Sequence, residues 1–144
     1  MENFPAFYPL LKAFLGEVYG SPEKGLTVYQ SKYRALDYYR NYRSRPNSYL
    51  LILRAPDSSL AGFLYARKKK GGTYIYDIFV KPEYRGLGLG RALLTALSKL
   101  SPLPFTADVC HKSLPAFKRW GFSETAPAYA EDGVVWHPVK LTTL

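Results

Sequence analysis

Arg85-Gly86-Leu87-Gly88-Leu89-Gly90-Arg91 runs directly into Ala92-Leu93-Leu94-Thr95-Ala96-Leu97, and this junction decides the fold. Three glycines at alternate positions let the chain turn tightly and approach a ligand closely, because none carries a Cβ. Leu89, Ala92, Leu93, Ala96, Leu97 and Leu100 recur at the spacing of one buried helical face, and Pro102 ends the run. A helix therefore starts at the glycines. Its first turn leaves N–H groups unpaired and aims the positive end of its dipole at whatever the loop holds, which suits a pair of phosphates. Arg85 and Arg91 add positive charge.

The 144 residues, 47% of them hydrophobic, predict one domain over 1–144 with a single core. No apolar run approaches the ~20 residues that span a bilayer, and no leader-like segment opens the chain, so a cytoplasmic protein without membrane attachment is expected. One cysteine, Cys110, precludes an internal disulfide. A formal charge of +9 favours anionic ligands at the encounter stage without selecting among coenzymes, nucleic acid and acidic surfaces. The densest basic run, Arg67-Lys68-Lys69-Lys70, reads as a solvated hairpin loop beside Gly71-Gly72.

Apolar spacing predicts helices over 7–18 and 27–43, the second rich in tyrosine. Strands are expected over 49–54, 61–67 and 73–80, forming an antiparallel meander. The third strand, the helix after Gly90 and a strand over 105–110 make a βαβ unit, which places the two strands parallel and adjacent. Ser113 is expected to cap a short helix that carries Pro115 in its first turn and ends at Gly121. Strands over 122–125 and 134–141 close the chain, with Glu131-Asp132-Gly133 as a turn. Pro138 argues that the last strand is interrupted or at an edge.

Competing phosphate loops fail on the residues. No GxxxxGK[ST] string occurs, and the GxGxxG pattern is missed, with no suitably placed acidic residue about twenty positions on. What Arg85-x-x-Gly88-x-Gly90 resembles is the acetyl-CoA motif of the GNAT superfamily of N-acetyltransferases, [Q/R]xxGx[G/A] after a strand. Asp77-Ile-Phe-Val-Lys-Pro-Glu-Tyr-Arg-Gly86 is similar to the family's lead-in to that motif. Ala116-Phe-Lys-Arg-Trp-Gly-Phe122 is similar to its "xYxxxGF" junction. The resemblance covers about half the chain.

That resemblance implies an α+β fold, a mixed sheet with splayed parallel strands flanked by about four helices. It implies acetyl-CoA as the acetyl donor, with no metal. Main-chain groups near Ile78, Phe79 and Val80 would hold the pantetheine arm in the splay, as a pseudo-strand satisfying unpaired N–H and C=O groups. An N–H near Phe79 or Val80 would stabilise the thioester oxyanion. The loop Arg85, Gly86, Leu87, Gly88, Leu89, Gly90 and Arg91 would take the pyrophosphate.

The chain departs from the family where protons move. Polyamine acetyltransferases, to which this segment is similar, carry a glutamate where Tyr76 stands. The usual tyrosine acid is Phe117 here, and a frequent asparagine is Cys110. Three substitutes are weak catalytic candidates: Asp77 acting through water, Tyr76 as a proton donor, and His111 by its titration range. Neighbouring Cys110 and His111 point to opposite faces of a strand and make no dyad, so an acetyl-cysteine is not expected. Only 1–4 precede Pro5, too short for the family's usual first strand.

The function expected is direct attack of a primary amine, small-molecule or macromolecular, on acetyl-CoA in a ternary complex, by a monomer or homodimer. A catalytically weak acyl-CoA-binding regulatory module is the alternative. A basic nucleic-acid binder, motivated by the charge and the interleaved tyrosines and arginines of 27–43, is not favoured.

Overall fold

The computed structural model describes residues 46–55 and 59–144. The two helices expected over 7–18 and 27–43, and any strand at 1–4, lie outside them. Seven strands form one mixed sheet, β1 (Ser48–Arg54), β2 (Leu60–Lys69), β3 (Gly72–Val80), β4 (Phe105–Cys110), β5 (Ser123–Glu124), β6 (Tyr129–Glu131) and β7 (Val134–Leu141). Their order is β1-β2-β3-β4-β7-β5, with β6 also paired to β7. Helix α1 (Leu89–Ser98) joins β3 to β4, and α2 (Leu114–Arg119) follows β4.

The meander is antiparallel as its turn residues predict, and the βαβ connection makes β3 and β4 parallel. Their pairing is brief. Only Thr73 with Phe105 and Tyr74 with Thr106 are in register, after which the strands part. At the closed end the Thr73 hydroxyl lies 2.7 Å from that of buried Ser101 and donates to the Pro102 carbonyl, fixing the connection out of α1. Beyond it, Tyr65 pairs with Asp77 but Ala66 with Ile75, so Tyr76 is an extra residue on β3. Such a bulge bends its strand and increases its twist.

The bulge also resets which side chains share a face. Ile75, Ile78 and Val80 meet the core on one face, together with Leu64, Ala66, Phe105, Ala107, Val109, Val139 and Leu141. Tyr74 and Tyr76 meet on the other, with ring centroids 4.8 Å apart, and Phe63 stacks against Phe79 there. A strict alternation along 73–80 would have put Tyr76 and Asp77 on opposite faces. Their cross-strand neighbours place both with Tyr74.

Helix α1 buries Gly90, Leu93, Leu94 and Leu97. This corrects the expected face: Ala92 and Ala96 are exposed, and Leu100 falls beyond the helix and is 53% exposed. Both phases fit a leucine- and alanine-rich segment, and the packing of Gly90 under the Trp120 ring selects the one with Leu94. Trp120 and Phe122 in turn pack on Phe117, at 5.0 and 4.9 Å between centroids, which anchors α2 to the sheet.

Four other expectations are corrected. Ser113 holds the N-cap position of α2 but makes no side-chain cap bond, its hydroxyl lying 3.4 Å from the Cys110 sulfur. The strand expected over 122–125 is only Ser123–Glu124, because Phe122 is drawn into the core, and β6 fills a stretch with no strand pattern. Arg67, Lys68 and Lys69 belong to β2 rather than to the loop. Strand β7 is continuous and interior despite Pro138. The Pro138 carbonyl accepts from Thr125 N–H, so its ring nitrogen also faces that side, at the break between β5 and β6 where no ladder bond is required.

A Cβ placed on Gly90 would lie 2.2 Å from the Trp120 ring, so the alanine variant must displace that ring. Gly90→Ala is expected to destabilise the fold by about 1–3 kcal/mol in urea unfolding. In a Trp120→Ala background most of that cost should vanish, and a cost that persists would place the strain elsewhere.

Candidate functional site

The parting of β3 from β4 leaves main-chain groups without a ladder. Lys81 N–H bonds to Ala61 on β2, and alternation along the strand turns the N–H groups of Val80 and Ile78 the other way, into the gap. The Phe79 N–H faces β2 by the same alternation, so of the two donors expected there Val80 is the one aimed at the gap. The gap opens into a cavity of about 590 Å³. One wall is Ile78, Phe79, Val80, Tyr84, Arg85, Gly86, Gly88, Leu89 and Gly90; the other includes Cys110, Lys112, Ser113, Ala116, Phe117, Arg119 and Trp120. Leu87, 68% exposed, and Arg91 do not line it.

The loop geometry follows from its glycines. Gly86 and Gly88 have φ of +80° and +77°, a left-handed conformation that residues with a Cβ adopt only at a cost, and around both a Cβ would meet open space. Gly88 is therefore an N-cap by conformation, without a side-chain cap. The N–H groups of Leu89, Gly90 and Arg91 have no helical carbonyl to bond, and Leu89 and Gly90 line the cavity. Arg85 is folded back, its Nε donating to the Val80 carbonyl at 2.8 Å and its guanidinium lying over the Phe79 ring. Arg91 donates to the Arg119 carbonyl at 3.3 Å and ties α1 to the end of α2. Lys112 and Arg119, which carry no motif in the sequence, are further cations on the cavity wall.

A second cavity of about 50 Å³ lies deeper in the wedge, lined by Tyr76, Asp77, Asp108 and Trp136 among others. It shares Ile78, Cys110, Ser113 and Phe117 with the first. Two of the catalytic candidates, Tyr76 and Asp77, are thus brought to the wedge. His111 is not. It is exposed past the end of β4, its Nδ1 3.4 Å from His137 Nε2, while His137 Nδ1 meets Glu124 at 3.0 Å. That chain continues to Lys118, whose hydrogen bond, with that of His137, holds the Glu124 carboxyl below its ordinary range. His111 lines neither cavity, so its expected catalytic part is withdrawn. Cys110 and His111 do diverge, the thiol toward Ser113 and the imidazole toward His137.

The tyrosines of the wedge differ in acidity. Burial, and then the hydrogen bond and charge of Asp108, push the Tyr74 phenol far above its usual range. Tyr74 donates to Asp108 Oδ2 across the wedge. Burial alone would raise Tyr76 too, but hydrogen bonding and charge from Lys69 and Arg67 outweigh it and lower that phenol. Asp108 escaped the sequence reading, although it is the charged residue of an otherwise weakly polar strand, two positions from Thr106 and from Cys110 on one face.

No helix among the described residues is long and apolar enough to cross a membrane, and no cluster among them could hold a metal ion. Residues 18–143 match the family model described as "Acetyltransferase (GNAT) domain". Over 62 residues, 40% of the chain, it is 36% identical to glucosamine 6-phosphate N-acetyltransferase of Trypanosoma brucei brucei, and the match spans 42% of that relative, less than half its length. The PaiA N-acetyltransferase of Thermoplasma acidophilum in complex with coenzyme A superposes with a TM-score of 0.72 at 16% identity, over 99% of this chain and 94% of that one. An N-acetyltransferase of Staphylococcus aureus Mu50 gives 0.73 at 14% identity, over 97% and 96%. At these identities the structures attest the fold.

The opposed environments of Tyr74 and Tyr76 predict the order in which phenols titrate. In ultraviolet absorbance titration Tyr76→Phe should remove a step that begins below the tyrosine reference near 10, and Lys69→Met should move that step upward. Tyr74→Phe should leave it in place. An early step that survives in Tyr76→Phe would contradict the assignment.

Proposed function

The chain belongs to the GNAT acetyltransferase family, and from that membership we propose that it is an acetyl-CoA-dependent N-acetyltransferase whose amine acceptor meets the donor between β3 and β4. The observation that carries the reading is that the two cavities adjoin, with Ile78, Cys110, Ser113 and Phe117 lining both. It links an anion-suited helix start to a wedge holding an acidic phenol. When bound, acetyl-CoA supplies a thioester whose acetyl group passes to the amine nitrogen as the carbon–sulfur bond breaks and coenzyme A leaves as the thiol.

The residues present fit such a ligand. The left-handed Gly86 and Gly88 and the open N–H groups of α1 take the pyrophosphate, with Lys112 and Arg119 adding charge from the facing wall. Arg85 acts chiefly as a brace, holding the loop to the end of β3. Main-chain groups of Ile78 and Val80 satisfy the amide-rich arm where β4 has withdrawn. The Val80 N–H is the donor placed to meet charge developing on the thioester oxygen.

Protons must leave the attacking ammonium and reach the departing sulfur. Tyr76, its phenol made more acidic by Lys69 and Arg67, holds the proton that the sulfur takes. Asp77, buried beside it, receives the amine proton through water and passes it to solvent. Attack is direct, because Cys110 faces Ser113 and makes no hydrogen bond to a base among the described residues that would turn it into a nucleophile.

Calorimetry should show acetyl-CoA binding, and a thiol-release assay over an amine panel should show amine-dependent turnover. Gly88→Val, which forces a β-branched residue into a left-handed φ, should weaken acetyl-CoA at least about tenfold. Tyr76→Phe should lower kcat by about 10²-fold with little change in acetyl-CoA affinity. Binding without amine-dependent thiol release from any amine would instead identify an acyl-CoA-binding module. Mass spectrometry after acetyl-CoA alone should find Cys110 unmodified, and an acetylated Cys110 peptide would replace direct attack with a covalent route.

A further inference from the structure

We propose that the acceptor is a zwitterion, a primary ammonium received at Asp108 whose anionic end, a carboxylate or phosphate, is received at Arg67 and Lys69. The proposal rests on the acyl-transfer reading for its orientation and adds the chemical class of the second substrate.

The groups concerned share the sheet face opposite α1 and α2. Arg67 is the direct cross-strand neighbour of Tyr74, and such neighbours project on one side. Lys69 Nζ lies 5.5 Å from the centre of the Tyr76 ring. Tyr74 reaches across the wedge to Asp108, and the charge of the same carboxylate acts on the Tyr129 phenol of β6. Trp136, the cross-strand neighbour of Tyr129, closes the far side. The result is a strip of aromatic rings with a carboxylate toward one end and two cations toward the other.

Each end has capacity left for a ligand. The Arg67 Nε is buried and has no hydrogen-bond partner among the described residues. A buried guanidinium N–H without an acceptor is costly, and an anion laid along the strip would satisfy it bidentately with the rest of the fork. Asp108 takes a hydrogen bond from the Tyr74 phenol, yet a carboxylate offers about four lone-pair sites, so it can accept from an ammonium as well. The surrounding rings favour a cation at that end.

The order along the strands sets the direction. Asp108 lines the wedge next to Ile78 and Cys110, which border the donor cavity, whereas Arg67 lies opposite Tyr74, where β3 and β4 are still paired. A molecule bound by both ends therefore presents its nitrogen, not its anion, to the donor. Strand spacings put the Arg67 and Asp108 main chains roughly 10–12 Å apart, and both side chains reach inward, so the two charges of the acceptor are separated by a few bonds. A diamine would bring a second cation against Arg67 and Lys69, and a simple alkylamine would leave the Arg67 Nε unmet.

The test is a length series of ω-amino carboxylates and of aminoalkyl phosphates, set against n-alkylamines and α,ω-diamines of equal length. The best zwitterion should exceed the matching alkylamine in kcat/KM by about ten- to a hundredfold, as expected of a charge-assisted hydrogen bond. Whether the carboxylate or the phosphate series wins identifies the anion. Arg67→Met should bring that ratio toward one by raising KM for the zwitterion, Arg67→Lys should restore part of it, and Asp108→Asn should raise KM for every amine. Lys68→Met, on the opposite face of β2, serves as a control and should keep the ratio. Calorimetry of the same compounds onto protein saturated with coenzyme A reads the proposal without turnover. If no amine releases thiol but zwitterions still bind about tenfold tighter than alkylamines in an Arg67-dependent way, the acyl-transfer reading fails and the binding site stands. Alkylamines or diamines that match the zwitterions in both assays, or a preference that survives Arg67→Met, would overturn it.

Discussion

Strands β3 and β4 pair for two residues and then separate, and the site depends on that separation. Each strand is held firmly on its other side, β3 by β2 as far as Val80 and β4 by β7 along its whole length. The bulge at Tyr76 turns β3 away just where the pairing ends. Main-chain groups facing such a gap cannot remain dry and unbonded without cost, so the wedge is a place that asks for a ligand with amides of its own. The same parting creates both cavities and exposes the tyrosine-lined face beside them.

A single close contact then positions the anion-suited end. Gly90 lies under the Trp120 ring, where no larger residue fits, and this contact locks the start of α1 against α2 across the cavity. The three glycines of the loop thus do different jobs: two supply left-handed backbone and the third supplies room. Arg85 and Arg91, which look in sequence like ligands for phosphate, each also give one donor to a carbonyl, of Val80 and of Arg119. Lys112, just before α2, and Arg119, at its end, are further cations on the cavity wall.

Much of this was legible before the fold. Gly and Pro punctuation located the three meander strands, and the βαβ spacing correctly made β3 and β4 neighbours and parallel. The phase of α1 was not legible, because leucine and alanine on both sides of the helix satisfy two registers equally and only packing against the sheet chooses. Pro138 misled for a related reason: the penalty for proline in a strand depends on which neighbour its nitrogen faces, and that is a property of the finished sheet. On strand β3, period-two alternation separated Tyr76 from Asp77, and the bulge reunited them.

The sequence by itself determined the glycine loop and the helix that follows it. Backbone conformation at Gly86 and Gly88, and the helix that starts there, are local properties written within a few residues, and the strand before and the junction after them carry the likeness to the GNAT family. Only the tertiary structure decided which side chains gather beside the wedge. Arg67, Tyr76, Asp108 and Tyr129 come from four strands, and no spacing along the chain relates them. Their opposed influences on the two tyrosines arise from cross-strand distance and burial, quantities that exist only once the sheet has formed.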